Sequence, residues 1–293
     1  MANFPPGYIA TIREALTTFH TEAGKFAQAN GCVPAAGSHA ATEQTSCARP
    51  ESIVTAMSLG VQLIEFGAEH LTAFVKIITD PVEVIACWTC VRSMLESCSL
   101  SAWLLDPTIT PTTRIGRVYA IRYDSMEQQV KFGRAAGIPQ PEIAGLEERI
   151  NAVEREAIAL GYPPVVDRNN RRIGIAQQVP SATDMIQLML DEGTTYRLLS
   201  GVAHGHSWAI LGLGYKPSGP DKNIGGVTAK PYQKTDDITG IAYLGIRTAK
   251  ALARPLWNQC RYFGWNALAL EEIFENVFGK LDATTTLRFW RSP

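Results

Sequence analysis

Residues 81–106 (PVEVIACWTCVRSMLESCSLSAWLLD) set the tightest limit on what this chain can become. The segment is apolar on almost every side, yet Arg92 and Glu96 stand in its middle. A helix that is apolar all round belongs at the centre of a bundle, where an ionised side chain needs a partner or a job. On such a helix Ile85, Trp88, Arg92, Glu96, Ser99 and Trp103 fall within about one third of the circumference. Arg92 and Glu96 are four apart and can pair directly. Two readings stay open at this point. The pair is either a structural ion pair that fixes register, or it faces a cleft, where it binds an anion or orients a neighbour.

A second stretch of the same kind, Tyr196–Leu213, carries Arg197, His204 and His206. As one continuous helix it would place Arg197 and His204 within about 20° on one face. Ser200 and Gly201 lie between them on that stripe. Gly201 and Gly205 lower helix propensity without an obvious turn, which predicts close approach of another backbone or a ligand. An arginine above a histidine offers a phosphate clamp and a group that exchanges a proton near neutral pH. The competing reading is a core histidine bonded to a carbonyl, with Arg197 reaching an acid such as Glu96.

Elsewhere apolar residues recur at three- and four-residue spacing, and strand-like alternation is nearly absent. The pattern predicts helices near 6–29, 51–79, 81–106, 111–136, 141–161, 181–192, 194–212, 236–264 and 266–281. Asp80–Pro81 with Glu83, and Ser181 with Asp184, supply helix starts, while Gly137 and Gly161 supply stops. Three connections are long: 30–50, read as a mobile loop, and 162–180 and 214–235, both basic. No linker is polar enough to force a boundary, so the expected architecture is all-α. It is a single multi-helix bundle over 1–293, with 81–106 and 194–212 as two central apolar helices.

A net charge of -1 gives no global pull toward nucleic acid or membrane, so such contacts must come from local patches. The 111–136 helix, with Arg114, Arg117, Arg122, Lys131 and Arg134, is one such patch; a solvated basic face is its simpler reading. The six cysteines include one CxxC, Cys87 and Cys90, inside the apolar helix, where core thiols fit better than a zinc or redox site. No Glu-x-x-His pair points to a bundle metal site; Glu65, Glu69 and His70 come nearest. His204 and His206, two apart on a helix, would diverge. No cofactor or metal is expected. The chain opens without a basic-then-apolar leader, and the central Arg–Glu pair argues against membrane insertion, so a cytoplasmic protein is expected. The aromatic tail Leu287–Arg291 is expected to tuck against the bundle.

The segment Arg197-Leu198-Leu199-Ser200-Gly201-Val202-Ala203-His204 resembles the Rx4–6H motif of HEPN domains. These are helical bundles found among bacterial toxins, abortive-infection proteins and RNA-processing factors. The Arg–Glu helix followed by a YRxLSxxxHG helix is also similar to large bacterial helical proteins. The resemblance covers about 81–213. Arg13 and His20 repeat the same spacing on an ordinary amphipathic helix. The resemblance implies metal-independent RNA cleavage, with attack of the 2′-hydroxyl on the adjacent phosphate. In that role His204 is the acid/base and Arg197 the phosphate ligand, while Arg92, Glu96 and Ser200 are candidate substrate-binding groups. It further implies a homodimer that juxtaposes two motifs, in a defence or toxin–antitoxin setting. The alternatives are a non-catalytic helical scaffold and an anion- or small-ligand-binding bundle. All readings expect Arg92, Glu96, Arg197, Ser200 and His204 to converge.

Overall fold

The computed structural model describes residues 7–79, 82–213, 215–234 and 238–281. Among these the chain runs α1 (Tyr8–Ala29), α2 (His39–Ser46), α3 (Pro50–Ile77), α4 (Val84–Leu104), α5 (Pro111–Ala135) and α6 (Gln140–Ala159). A hairpin of β1 (Pro164–Val166) and β2 (Arg172–Ile175) follows, then α7 (Ala182–Leu190), α8 (Gly193–Ala203) and α9 (Ser207–Leu213). A ribbon of β3 (Tyr215–Pro217), β4 (Lys222–Ile224), β5 (Val227–Ala229) and β6 (Tyr232–Lys234) leads to α10 (Ile238–Phe263) and α11 (Ala267–Leu281). The fold is a predominantly helical bundle with short antiparallel strand pairs. No helix among the described residues is long and apolar enough to cross a membrane.

The all-round apolar segment becomes α4, and it is the axis of the bundle, with α3, α10, α7 and α8 packed around it. Val84, Cys87, Trp88, Val91, Met94, Leu95 and Cys98 are buried in one continuous core. Two glycines let α3 lie close to it. A Cβ on Gly60 would stand 2.5 Å from Leu105 Cγ, and one on Gly67 would stand 2.6 Å from Cys98 Sγ. They are seven residues apart and so share a face. The expected start of this helix at Asp80–Pro81 lies outside the described residues, as does the aromatic tail 287–291.

A helix that ends inside the core must satisfy its last carbonyls, and α4 does so with side chains borrowed from other helices. Asn258 Nδ2 donates to Ala102 O at 2.9 Å, Arg117 Nη1 to Trp103 O, and Arg114 Nη1 to Leu104 O. Arg114 is fully buried, and its charge is met by Glu43, with Nε donating to Oε2 at 2.9 Å. Tyr262 Oη donates to that same Oε2 at 2.7 Å and its ring lies under the guanidinium, 3.8 Å from its carbon. Two expectations are corrected here. Residues 30–50 are not a featureless loop, because α2 places Glu43 in the core. Nor is the 111–136 helix a basic patch: Arg114 and Arg117 cap α4, Arg134 pairs with Glu147, and Arg122 lies 4.0 Å from Glu156. Lys131 stays exposed.

The other two long connections also carry structure. Asp167 Oδ1 accepts from the backbone N–H of Asn169 and of Arg171, each at 2.9 Å, which tightens the β1–β2 turn. In the ribbon β3 pairs with β6 and β4 with β5. Gly225 and Gly226, at φ 60° and 82°, form its two-residue tip; both positions of that turn need positive φ. The expected helix starts and stops at Ser181, Gly137 and Gly161 appear as such: Ser181 Oγ accepts from Asp184 N at 3.2 Å, and both glycines have positive φ.

Candidate functional site

The expected single helix over 194–212 is instead two, α8 and α9, and the break explains both glycines. Gly205 takes φ 71°, a left-handed stop that turns the chain. α9 then folds back on α8 over Gly201, where a Cβ would meet Trp208 Cζ2 at 2.8 Å and Ala209 Cβ at 3.0 Å. The predicted close approach is therefore made by the chain's own next helix.

The first turn of α8 is tied to the bundle twice. Glu192, 4% exposed, accepts from Thr195 Oγ1 at 2.7 Å and pairs with Arg247 of α10. Thr195 Oγ1 also lies 2.7 Å from Tyr243 Oη. A buried carboxylate at this end of a helix meets the positive end of its dipole. On the next residue, Tyr196 Oη donates to Glu96 Oε1 at 2.7 Å. That same oxygen accepts from Arg92 Nε at 3.1 Å, and the Arg92 guanidinium lies 5.7 Å from the Tyr196 ring centre. Burial, together with the hydrogen bond it donates, raises the Tyr196 phenol above the ordinary tyrosine range. The Arg92 and Glu96 side chains are 25% and 40% exposed, so this is a rim network rather than a core ion pair.

The five candidate residues thus divide. Arg92 and Glu96 are brought together, with Tyr196 as their third member. Arg197 and His204 are exposed and Ser200 is half-buried on the adjoining outer face of α8. No hydrogen bond or ion pair joins Arg197 or His204 to Arg92 or Glu96 among the described residues. The acid at Glu96 is reached by Tyr196, not by Arg197.

His204 occupies the C-cap of α8, where its N–H donates to Ser200 O at 2.9 Å. It therefore stays in phase with Arg197 along the helix. His206 does not diverge from it as a continuous helix would require. The turn at Gly205 brings the two rings to 6.2 Å between centroids. The outer face of α8 thus presents a guanidinium and two imidazoles to solvent, beside Trp208, which is 61% exposed. The ribbon adds exposed Lys216, Lys222 and Lys230 and a 42% exposed Tyr232; the side chain of Lys234 is outside the described part. Among the described residues no cluster of three or more His, Cys, Asp and Glu is placed to hold a metal.

Sequence reasoning missed Tyr196, Glu192, Thr195 and Tyr243. A signal for Tyr196 was present, since it shares an inward phase with Leu199 and Val202. None existed for the pairing of Glu192 with Arg247, which comes from α10. Comparison of the chain with protein-family models, characterised proteins and solved structures returned no match.

Proposed function

We propose that the protein binds RNA on the outer face of α8 and cleaves it without a metal. The observation that supports this most is that Arg197 and His204 face solvent along α8, two turns apart, with His206 brought beside His204 at the helix end. In the step this geometry suits, one imidazole takes the proton of a ribose 2′-hydroxyl, which attacks the adjacent phosphorus. The bond to the 5′-oxygen breaks, and the second imidazole, protonated, supplies that oxygen with its proton. The products are a 2′,3′-cyclic phosphate and a 5′-hydroxyl end. Arg197 holds the charge that builds on the phosphate oxygens. Trp208 and Tyr232 offer stacking faces for unpaired bases, and the ribbon lysines offer phosphate contacts. Arg92, Glu96 and Tyr196 position α8 rather than touch substrate. The HEPN resemblance adds a homodimer and a setting in cellular defence.

The closed Arg92–Glu96–Tyr196 network also suits the second reading, a helical scaffold that binds without catalysis, because it shows polar residues spent on holding helices together. One experiment divides the two. The full chain is incubated with an unstructured RNA oligonucleotide in the presence of EDTA. Wild type is expected to release cyclic-phosphate ends, and His204→Ala is expected to slow this by about 10²–10⁴-fold. RNA that is bound yet stays intact with wild-type protein overturns cleavage and leaves the scaffold.

A further inference from the structure

Far along the chain from α8 and α9, a cavity of about 270 Å³ opens between α1, α3 and α10. Its origin is legible in the residues. The stripe of α1 that faces it is Ala23, Gly24 and Ala27, at helical spacing, and these side chains are too small to fill the gap. A Cβ built on Gly24 would touch nothing within 4 Å. Ile64 and Ala68 of α3 and Leu252 and Leu256 of α10 complete apolar walls.

One buried lining residue breaks the pattern. Gln259 of α10 is 3% exposed, and among the described residues no hydrogen bond reaches its carboxamide. Buried amides are normally met by protein groups, whereas the Gln259 nitrogen and oxygen, not sealed from water, are left to whatever fills the space beside them. Here the group lines the cavity instead. A carboxamide carries both a donor and an acceptor, and the group that answers both at once is another amide edge. At the mouth stand His20 and Glu65, both exposed. The Glu65 carboxylate disfavours an anionic guest there.

We propose that this cavity binds a small single-ring molecule that is neutral or cationic and bears one amide or lactam edge. The ring fills the apolar volume, which corresponds to about nine waters at their liquid density, and the edge pairs with Gln259. Pockets of this make-up, apolar with one placed polar group, are the usual form of small-molecule sites. The site shares no residue with the α8 face, so it stands or falls independently of the reading of that face.

Benzamide is the probe, titrated into the full chain by calorimetry and thermal melting, with benzoate as the anionic control. Wild type is expected to bind one benzamide, with a Tm gain of about 2 °C at ten times Kd, and to bind benzoate at least tenfold more weakly. Gly24→Leu fills the space, so binding is expected to vanish while Tm holds or rises. Gln259→Leu removes the amide edge while keeping the wall apolar, so the free protein is expected to stay folded and to bind benzamide at least tenfold more weakly. No heat and no Tm gain with wild type up to about 10 mM benzamide overturns the proposal. So does binding that Gly24→Leu leaves unchanged.

Discussion

Arg114 and Arg197 are the same residue type on two helices of one bundle, and they live under opposite conditions. Arg114 is sealed in the core, its guanidinium committed to Glu43, to the carbonyls of Leu104 and Asp106, and to the Tyr262 ring. Arg197 stands in solvent two turns before a pair of imidazoles, with no such commitment among the described residues. A buried charge with every nitrogen met holds helices in place, and it has little left to offer a ligand. An exposed one adds little to stability and is free to bind. Chemistry is therefore expected where this bundle leaves polar groups unspent, on the outer face of α8.

The sharpest way to break the comparison is at Glu43. Glu43→Ala leaves the buried Arg114 charge without its counter-ion, and the expected cost is about 3–5 kcal/mol, read from urea unfolding. A loss below about 1 kcal/mol would mean that the pair is not what closes the end of α4.

Alkaline pH probes the same core more gently. Burial pushes Cys98, Cys260 and Tyr119 up to about 12, from ordinary values of 9.0 for the thiols and 10.0 for the phenol. The folded chain keeps these protons where the unfolded chain has lost them. Their contribution is thus complete below about pH 9 and is lost as pH rises through about 12. Arg117, lowered to about 10 by burial, and Arg254, also lowered by burial, work the other way, but the thiols and phenols that burial raises outnumber them. The urea midpoint is expected to stay level to about pH 9 and then fall, with a shallower fall in Tyr119→Phe; a midpoint that climbs from pH 9 to 11 would contradict this.

The smallest effect is expected at Tyr196. Tyr196→Phe removes one hydrogen bond from a half-exposed carboxylate, worth about 1 kcal/mol. If Tyr196 only positions α8, RNA affinity should hold within about threefold once the folded fraction is allowed for. A loss as large as that of Arg197→Ala would move Tyr196 into the binding surface.

What the sequence made legible follows from distance along the chain. α4 was readable because its apolar residues surround the axis, and Arg92 with Glu96 because four residues on a helix are neighbours. α2 was not readable. HAATEQTS has no apolar period, and the reason for burying Glu43 lies 71 residues away at Arg114 and 219 away at Tyr262. The break between α8 and α9 left a local trace in Gly205, but an apolar run on either side masks a stop that depends on φ alone. The ribbon was signalled by Gly225–Gly226, though strands of three residues give alternation too little length to show. Pairing within α8's own turn was accessible; partners from α10 were not.

The central claim is that the α8 face is spent on chemistry and the Arg114 cluster on stability. It is tested most directly by measuring RNA cleavage and urea unfolding side by side in wild type and His204→Ala. His204→Ala is expected to lose cleavage while its unfolding free energy stays within about 0.5 kcal/mol of wild type. Cleavage indistinguishable from wild type, or unfolding weakened by several kcal/mol, would contradict it.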